Sequence, residues 1–229
     1  MRGKGVVIVM NLKEAMEARH SVRRYLDRQI EGEKVEILQK EIEKVNAESG
    51  LHIQLILNEP KAFSGPIAHY GSFRNCKNYF VIVGAKDLQE AAGYQGEKLV
   101  LLAQQLGLNT CWVAATYSKG KVPATIGEGE KLLIVIALGY GETQGTAHKS
   151  KPMEKLCKTP GEMPKWFENA MRTAMNAPTA INQQKFFFTL KVKDVVAAKA
   201  LTGPCSKIDL GIVKYHFEIG AEGHPFKWE

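Results

Sequence analysis

One order of features occurs twice along this chain: a short basic turn, an amphipathic helix, then a strand-like run. The first turn is Arg19-His20-Ser21-Val22-Arg23 and the second is His148-Lys149-Ser150-Lys151-Pro152, with Ser21 and Ser150 129 positions apart. After the first turn, Val35, Leu38, Ile42 and Val45 recur at helical spacing over 33–49, and Gly50 is placed to stop that helix. After the second, Trp166, Phe167, Ala170, Met171 and Ala174 share a helical face over 164–176, with Pro164 at the first helical position. The strand-like runs at 52–57 and 185–190 follow. They are 133 positions apart, so the second copy carries four extra residues, which fall in 177–184. Repetition of this kind restricts the chain to two related helix–strand units packed as one body, here lobe 1 over 11–147 and lobe 2 over 148–229.

The basic turns suggest a ligand class. In extended backbone, residues i, i+2 and i+4 point the same way. Arg19, Ser21 and Arg23 then offer two guanidinium forks and a hydroxyl to one spot, a set suited to a phosphate monoester. Taken alone, the same residues also read as a solvated basic turn. Lys149 and Lys151 of the second copy read, by themselves, equally as a solvated linker.

Bulk composition narrows the function classes. With 229 residues, 45% hydrophobic and 24% charged, the chain can bury a sizeable core of ordinary globular type. A net charge of +7 favours anionic ligands. Basic and acidic residues are interleaved, however, and the aromatic residues form no stacking pattern, which argues against nucleic acid. Cys76, Cys111, Cys157 and Cys205 lie far apart without a CxxC pair, as expected of reduced thiols in a cytoplasmic protein. The histidines lack metal-ligand spacing. The apolar run at 6–10 is too short for a bilayer and has no small-residue cleavage site. It reads as a strand, or as residues upstream of a start at Met10.

In chain order, Asn11 is placed to cap a helix to about Arg19 with Leu12, Ala15 and Met16 inward. Residues 58–78 read as an irregular surface loop and 79–84 as a buried strand. Asp87 is placed to cap a helix to Leu106, ended by Gly107. Strands at 109–113 and 131–137 follow, the first opening into Ala114-Ala115-Thr116. Residues 145–151 form a polar linker, and a last helix runs over 208–221 with Gly211 at a close-packing position. Helices and strands alternate with few hairpin signals, giving an α+β class.

Four motifs together resemble the FMN-dependent nitroreductase family: Arg19-His20-Ser21-x-Arg23, Leu106-Gly107-Leu108-x-Thr110-Cys111-Trp112, Leu138-Gly139-Tyr140, and Ala177-Pro178-Thr179-Ala180-x-Asn182-x-Gln184. The chain is most similar to the family's tandem-lobe branch, in which one chain mimics the usual homodimer. The resemblance implies a nitroreductase-like fold that works as a monomeric pseudo-dimer or a weak homodimer. It also implies FMN as cofactor, NAD(P)H as electron donor and small-molecule substrates, with neither nucleic acid nor membrane as partner. It further implies that Arg19, His20, Ser21 and Arg23 hold the flavin phosphate, with Lys149 and Lys151 at the place of two further family cations. Pro178, Thr179, Ala180 and Asn182 would cover the ring, with Asn182 at its edge. The backbone of Ala114 and Ala115 would approach N5. In the family the two turns meet across a subunit interface; here that becomes the interface between lobes. The chain departs from the pattern in lobe 1, which has only Glu48-Ser49-Gly50-Leu51 where the family places its Ala-Pro-Ser turn.

The activity implied is hydride transfer from NAD(P)H to a small electrophile, such as a nitroaromatic or a quinone, through flavin N5. No catalytic side chain is needed, because the flavin carries the chemistry. Two alternatives stand beside it: a flavin-binding or storage protein with little turnover, and a phosphate-binding module that uses the basic turns alone.

Overall fold

The computed structural model describes residues 10–229; the strand expected at 6–10 lies almost wholly outside them. The chain divides into two compact units. The first comprises the described part of Met1–Leu88 with Lys98–Thr146, the second Gln89–Glu97 with Ala147–Glu229. The stretch Gln89–Glu97, read from sequence as part of lobe 1, is thus packed within the second unit.

The first unit is built on an antiparallel sheet of β1 (His52–Ile56), β2 (Asn78–Gly84), β3 (Asn109–Val113) and β4 (Lys131–Gly139), in the order β1-β2-β4-β3. Every residue of the central strand β2 is buried, and Tyr79 and Cys111 both register against Ala137 of β4. Helix α1 (Leu12–Ala18) starts in a capping box: Asn11 accepts the Glu14 N–H while the Glu14 carboxylate accepts the Asn11 N–H. Ala15 and Met16 are buried.

Helix α2 (Gly32–Ser49) buries Leu38, Ile42 and Val45 and ends at Gly50, whose φ of 69° is the left-handed cap that glycine favours. The Asn46 amide then spans the gap to β1. It donates to Ile53 O at 3.0 Å and accepts from Ile53 N at 2.8 Å, so this edge strand is bonded on its open side. The loop expected at 58–78 contains a 3-10 turn (Lys61–Phe63) and the short helix α3 (Pro66–Tyr70). Phe63 is the hub of their core, with ring centroids 4.9 Å from Phe73 and 5.4 Å from Tyr79. Asp87 does not cap the next helix. It lies inside a 3-10 turn, Lys86–Leu88, and α4 (Gln89–Gln105) begins after Leu88 without a side-chain cap.

The second unit holds β5 (Cys157–Lys158), α5 (Lys165–Ala174), β6 (Phe186–Lys191), β7 (Val195–Ala200), α6 (Ser206–Gly220) and β8 (Lys227–Trp228), with a sheet ordered β5-β6-β7-β8. β6 and β7 are antiparallel, while the two-residue edge strands join in parallel. Along the chain the order α2-β1-β2-α4, with α3 inserted between β1 and β2, parallels α5-β6-β7-α6, although the first half of α4 belongs to the second unit. The next strand differs, since β3, after α4, lies antiparallel to β4, whereas β8, after α6, lies parallel to β7.

Pro164 is the N-cap residue of α5 and not its first helical residue. Phe217 of α6 stacks on Phe188 at 4.8 Å and meets Phe167 of α5 at 5.5 Å, a ring cluster whose members each contribute roughly 1.5–3 kcal/mol by burial. His216 and Glu97 are fully buried together, His216 Nε2 lying 2.8 Å from Glu97 Oε1. Glycines let the helices of this unit touch. A Cβ on Gly211 would stand 1.9 Å from Glu90 O, and one on Gly93 would stand 1.9 Å from Ile208 O. Among the described residues, no helix is long and apolar enough to cross a membrane.

Candidate functional site

Residues 19–25 follow α1 and run extended past the first unit's sheet. Ser21 bridges to Thr110 of β3, Arg24 to Arg74 just ahead of β2, and Tyr25 to Gly141 just beyond β4. Five backbone bonds pin the segment: Val22 N to Thr110 O, Tyr25 N to Arg74 O, Arg74 N to Arg23 O, Glu142 N to Arg24 O and Leu26 N to Tyr140 O, all between 2.8 and 3.0 Å. Val22 and Tyr25 point inward, and the Tyr25 hydroxyl donates to Val22 O at 2.6 Å. Gly145, at φ 75°, passes so near that a Cβ would lie 2.7 Å from His20 Cβ.

The segment is extended, which is the backbone condition for the alternation read from the sequence. Burial pushes the Cys111 thiol up from its ordinary value; the Arg23 charge, a hydrogen bond with the Ser21 side chain and the Arg19 charge all act on it in the opposite sense. Arg19, Ser21 and Arg23 thus all lie within electrostatic reach of one thiol. Arg19 is 3% exposed while Arg23 lies at the surface, so the cluster leads from the interior to solvent. The thiol itself is held protonated, which leaves it a small apolar filler and not a nucleophile. Arg24 faces elsewhere, into a cavity of about 650 Å³ also lined by Phe63, His69, Phe73, Arg74 and Lys77. Ala114 and Ala115 are exposed in the bend directly after β3.

The other expected group lies in the second unit. Ala177–Gln184 forms a tight turn with a 3-10 segment at Ala180–Asn182, and Ile181, Asn182 and Gln184 have φ of 48°, 54° and 45°. This left-handed region costs non-glycine residues roughly 1–2 kcal/mol each, and a β-branched residue there is a real outlier. Ile181 nevertheless presents its side chain to solvent, 88% exposed. Several bonds offset the strain. Thr179 Oγ1 accepts Gln184 N at 3.0 Å, and Lys149 O accepts both Asn182 Nδ2 at 3.0 Å and Gln184 Nε2 at 2.9 Å. Asn182 Oδ1 also accepts from Gln184 Nε2 at 2.9 Å, so both ends of the amide expected at a ring edge brace the turn.

The second basic motif is engaged locally too. His148 Nε2 and Ser150 Oγ lie 2.9 and 3.2 Å from Met175 O. Lys151 Nζ donates to Gln183 O at 2.6 Å and Gln184 O at 3.2 Å. Lys149 is exposed.

Sequence reading missed Asp209. It is 2% exposed in the first turn of α6, where Oδ1 accepts Ala180 N at 2.9 Å and Oδ2 accepts Gln183 Nε2 at 2.7 Å. Burial raises its carboxyl to about 6, against the pull of those two bonds. The available signal was an acid between Ile208 and Leu210 on an apolar helix face, where an aspartate is seldom buried without partners.

Comparison with known proteins agrees with this frame. The family model described as "Putative TM nitroreductase" matches residues 11–221. A solved structure from Thermotoga maritima, described as a "putative nitroreductase", superposes with a TM-score of 0.63 at 22% identity, covering 92% of this chain and 83% of that one. A second, a "putative nitroreductase in complex with FMN" from Desulfovibrio desulfuricans, has a TM-score of 0.50 at 20% identity, covering 67% of this chain and 99% of the other. No curated protein sequence matches the chain.

Proposed function

The chain belongs to this nitroreductase family, and from that premise we propose that it is an FMN-dependent oxidoreductase that passes hydride from NAD(P)H to a small electrophile, such as a nitroaromatic or a quinone. The observation that supports the reading is the extended, sheet-pinned segment that carries Arg19, Ser21 and Arg23 at alternate positions. Two guanidinium forks and a hydroxyl suit a phosphate dianion in charge and in donor number. His20 lies within the same pinned segment.

The chemistry supplied by bound FMN is hydride exchange at its N5, so the residues of the chain need only bind, orient and exclude water. Arg19 and Arg23 neutralise the phosphate, with Ser21 donating between them. The Pro178-Thr179-Ala180 backbone, with Ile181 exposed at its crest, offers an apolar surface to an aromatic ring. Asn182, Gln184 and Lys151 hold that surface in shape. Ala114 and Ala115 keep backbone N–H donors in an exposed bend, free of bulky side chains.

Colour under anaerobic conditions tests the proposal. The purified protein is expected to be yellow, to bleach with NADH or NADPH, and to regain its colour when a quinone is added. A yellow protein that neither nucleotide bleaches would overturn the oxidoreductase reading in favour of flavin storage. A colourless protein that retains no added FMN would overturn the flavin reading itself.

A further inference from the structure

The turn at Ala177–Gln184 has three left-handed residues and no glycine, so something outside it must hold its shape. Its own bonds close one side, through Thr179, Lys149 and Lys151. The opposite side rests on one carboxylate from α6. Asp209 Oδ1 accepts the Ala180 N–H, and Asp209 Oδ2 accepts Gln183 Nε2, which also donates to Pro204 O at 2.7 Å. Gly203 allows this approach, since a Cβ there would stand 2.4 Å from Gln183 Oε1.

We propose that Asp209 is the positioning residue of the flavin-ring turn: ionised, its carboxylate accepts from Ala180 and Gln183 together and fixes the conformation in which Ile181 stands exposed. This deepens the flavin reading and rests on it.

The proposal has a chemical consequence. Both donors need an acceptor, and a protonated carboxyl keeps only one oxygen free of hydrogen. With its proton on Oδ2, Asp209 would set an O–H against the Gln183 N–H. Burial places this titration near pH 6. Asp209 in turn raises the thiol of Cys205, the N-cap residue of α6, and Lys151, a cation bonded to the turn, donates to the carbonyls of Gln183 and Gln184. The sign for folding runs opposite to that for binding. A carboxyl whose folded pKa lies above its unfolded value makes a stability contribution that is full below about pH 4 and is lost as pH rises through about 6. A carboxylate kept only for folding gains nothing from that arrangement, whereas one kept to shape a binding turn does.

The test is FMN titration of the flavin-stripped full chain and of Asp209→Asn, followed by quenching of flavin fluorescence from pH 5 to pH 8. The phosphate of FMN titrates alike in both proteins, so the ratio of the two Kd values isolates Asp209. The ratio is expected to be about tenfold or more at pH 8 and to fall towards one at pH 5. A ratio of one throughout, or a constant ratio at every pH, would overturn the inference. Gln183→Ala is the second variant, in case the first does not fold: it should weaken FMN at pH 8 and move the midpoint upward, and an unchanged Kd and midpoint would count against the proposal. If the parent binds no FMN at any pH, the flavin reading fails and takes this inference with it.

Discussion

Arg23→Glu is expected to remove FMN binding and leave the protein folded. A charge-assisted bond from a guanidinium to phosphate contributes roughly 1.5–3 kcal/mol. Replacing the cation by an anion loses that and adds repulsion, so the combined loss exceeds about 3 kcal/mol, more than a hundredfold in Kd. The fold should survive because Arg23 is exposed and its part in the sheet is made by backbone, through its carbonyl to Arg74 N at 3.0 Å. Arg24→Glu is the matched control. It makes the same charge change one residue along, on a side chain that lines a different cavity. At physiological salt, exposed charges more than about 8 Å apart are largely screened, so this control should weaken FMN far less. Equilibrium dialysis with FMN, alongside thermal melts, decides the matter. Equal losses in the two variants would mean that only the general positive field attracts the ligand.

The largest effect on stability is expected at Gly211. A Cβ there would lie 1.9 Å from Glu90 O and 2.6 Å from Tyr94 N, and both are backbone atoms that cannot rotate aside. Gly93 makes the reciprocal contact with Ile208 O, so the two glycines create one close crossing within the second unit. Overpacking a tight core costs about 1–3 kcal/mol per added group, and a backbone collision lies at or above the upper end. For a chain of this length, about 3 kcal/mol corresponds to a fall in Tm of roughly 6–12 °C. Gly161→Ala, with open space around its Cβ, should leave the Tm unchanged. Scanning calorimetry of the two variants would reject the close-crossing account if they melt together.

How far the sequence revealed this structure depended on whether the deciding interaction was local. Caps and spacing are local, so the Asn11 start, the Gly50 stop and strand Asn109–Val113 were legible. So was the alternation of Arg19, Ser21 and Arg23, which needs only the extended backbone that the sheet bridges hold. The hairpin between β6 and β7 was not legible, since it turns on Lys193 and Asp194 at φ of 59° and 52° where a glycine or asparagine signal would be sought. The two-residue strands β5 and β8 exist only through their neighbours.

The division of α4 between units could not be read either, because its apolar spacing runs unbroken across Glu97 and Lys98. In the site itself, the local partners of the second basic motif could not be read from its likeness to the first. Residue types were similar, yet His148 and Ser150 turn to Met175 O and Lys151 to the turn backbone. Asp209 was hidden for the opposite reason: its partner Ala180 lies 29 positions away, and no local pattern links them.

That contrast between the two motifs leads to the central claim, one phosphate site per chain. The first motif carries two arginines and a serine at alternate positions of one extended segment. In the second, histidine replaces the first arginine, Pro152 replaces the last and has no N–H to donate, and the remaining groups are bonded within their own unit. Loss of two charge-assisted contacts amounts to about 3 kcal/mol or more, roughly a hundredfold in affinity. The direct measurement is flavin released on denaturation, divided by chain concentration, after reconstitution with excess FMN and removal of the unbound fraction. The account predicts a ratio of about one; a ratio near two would show that the His148–Pro152 turn binds as well and would contradict it.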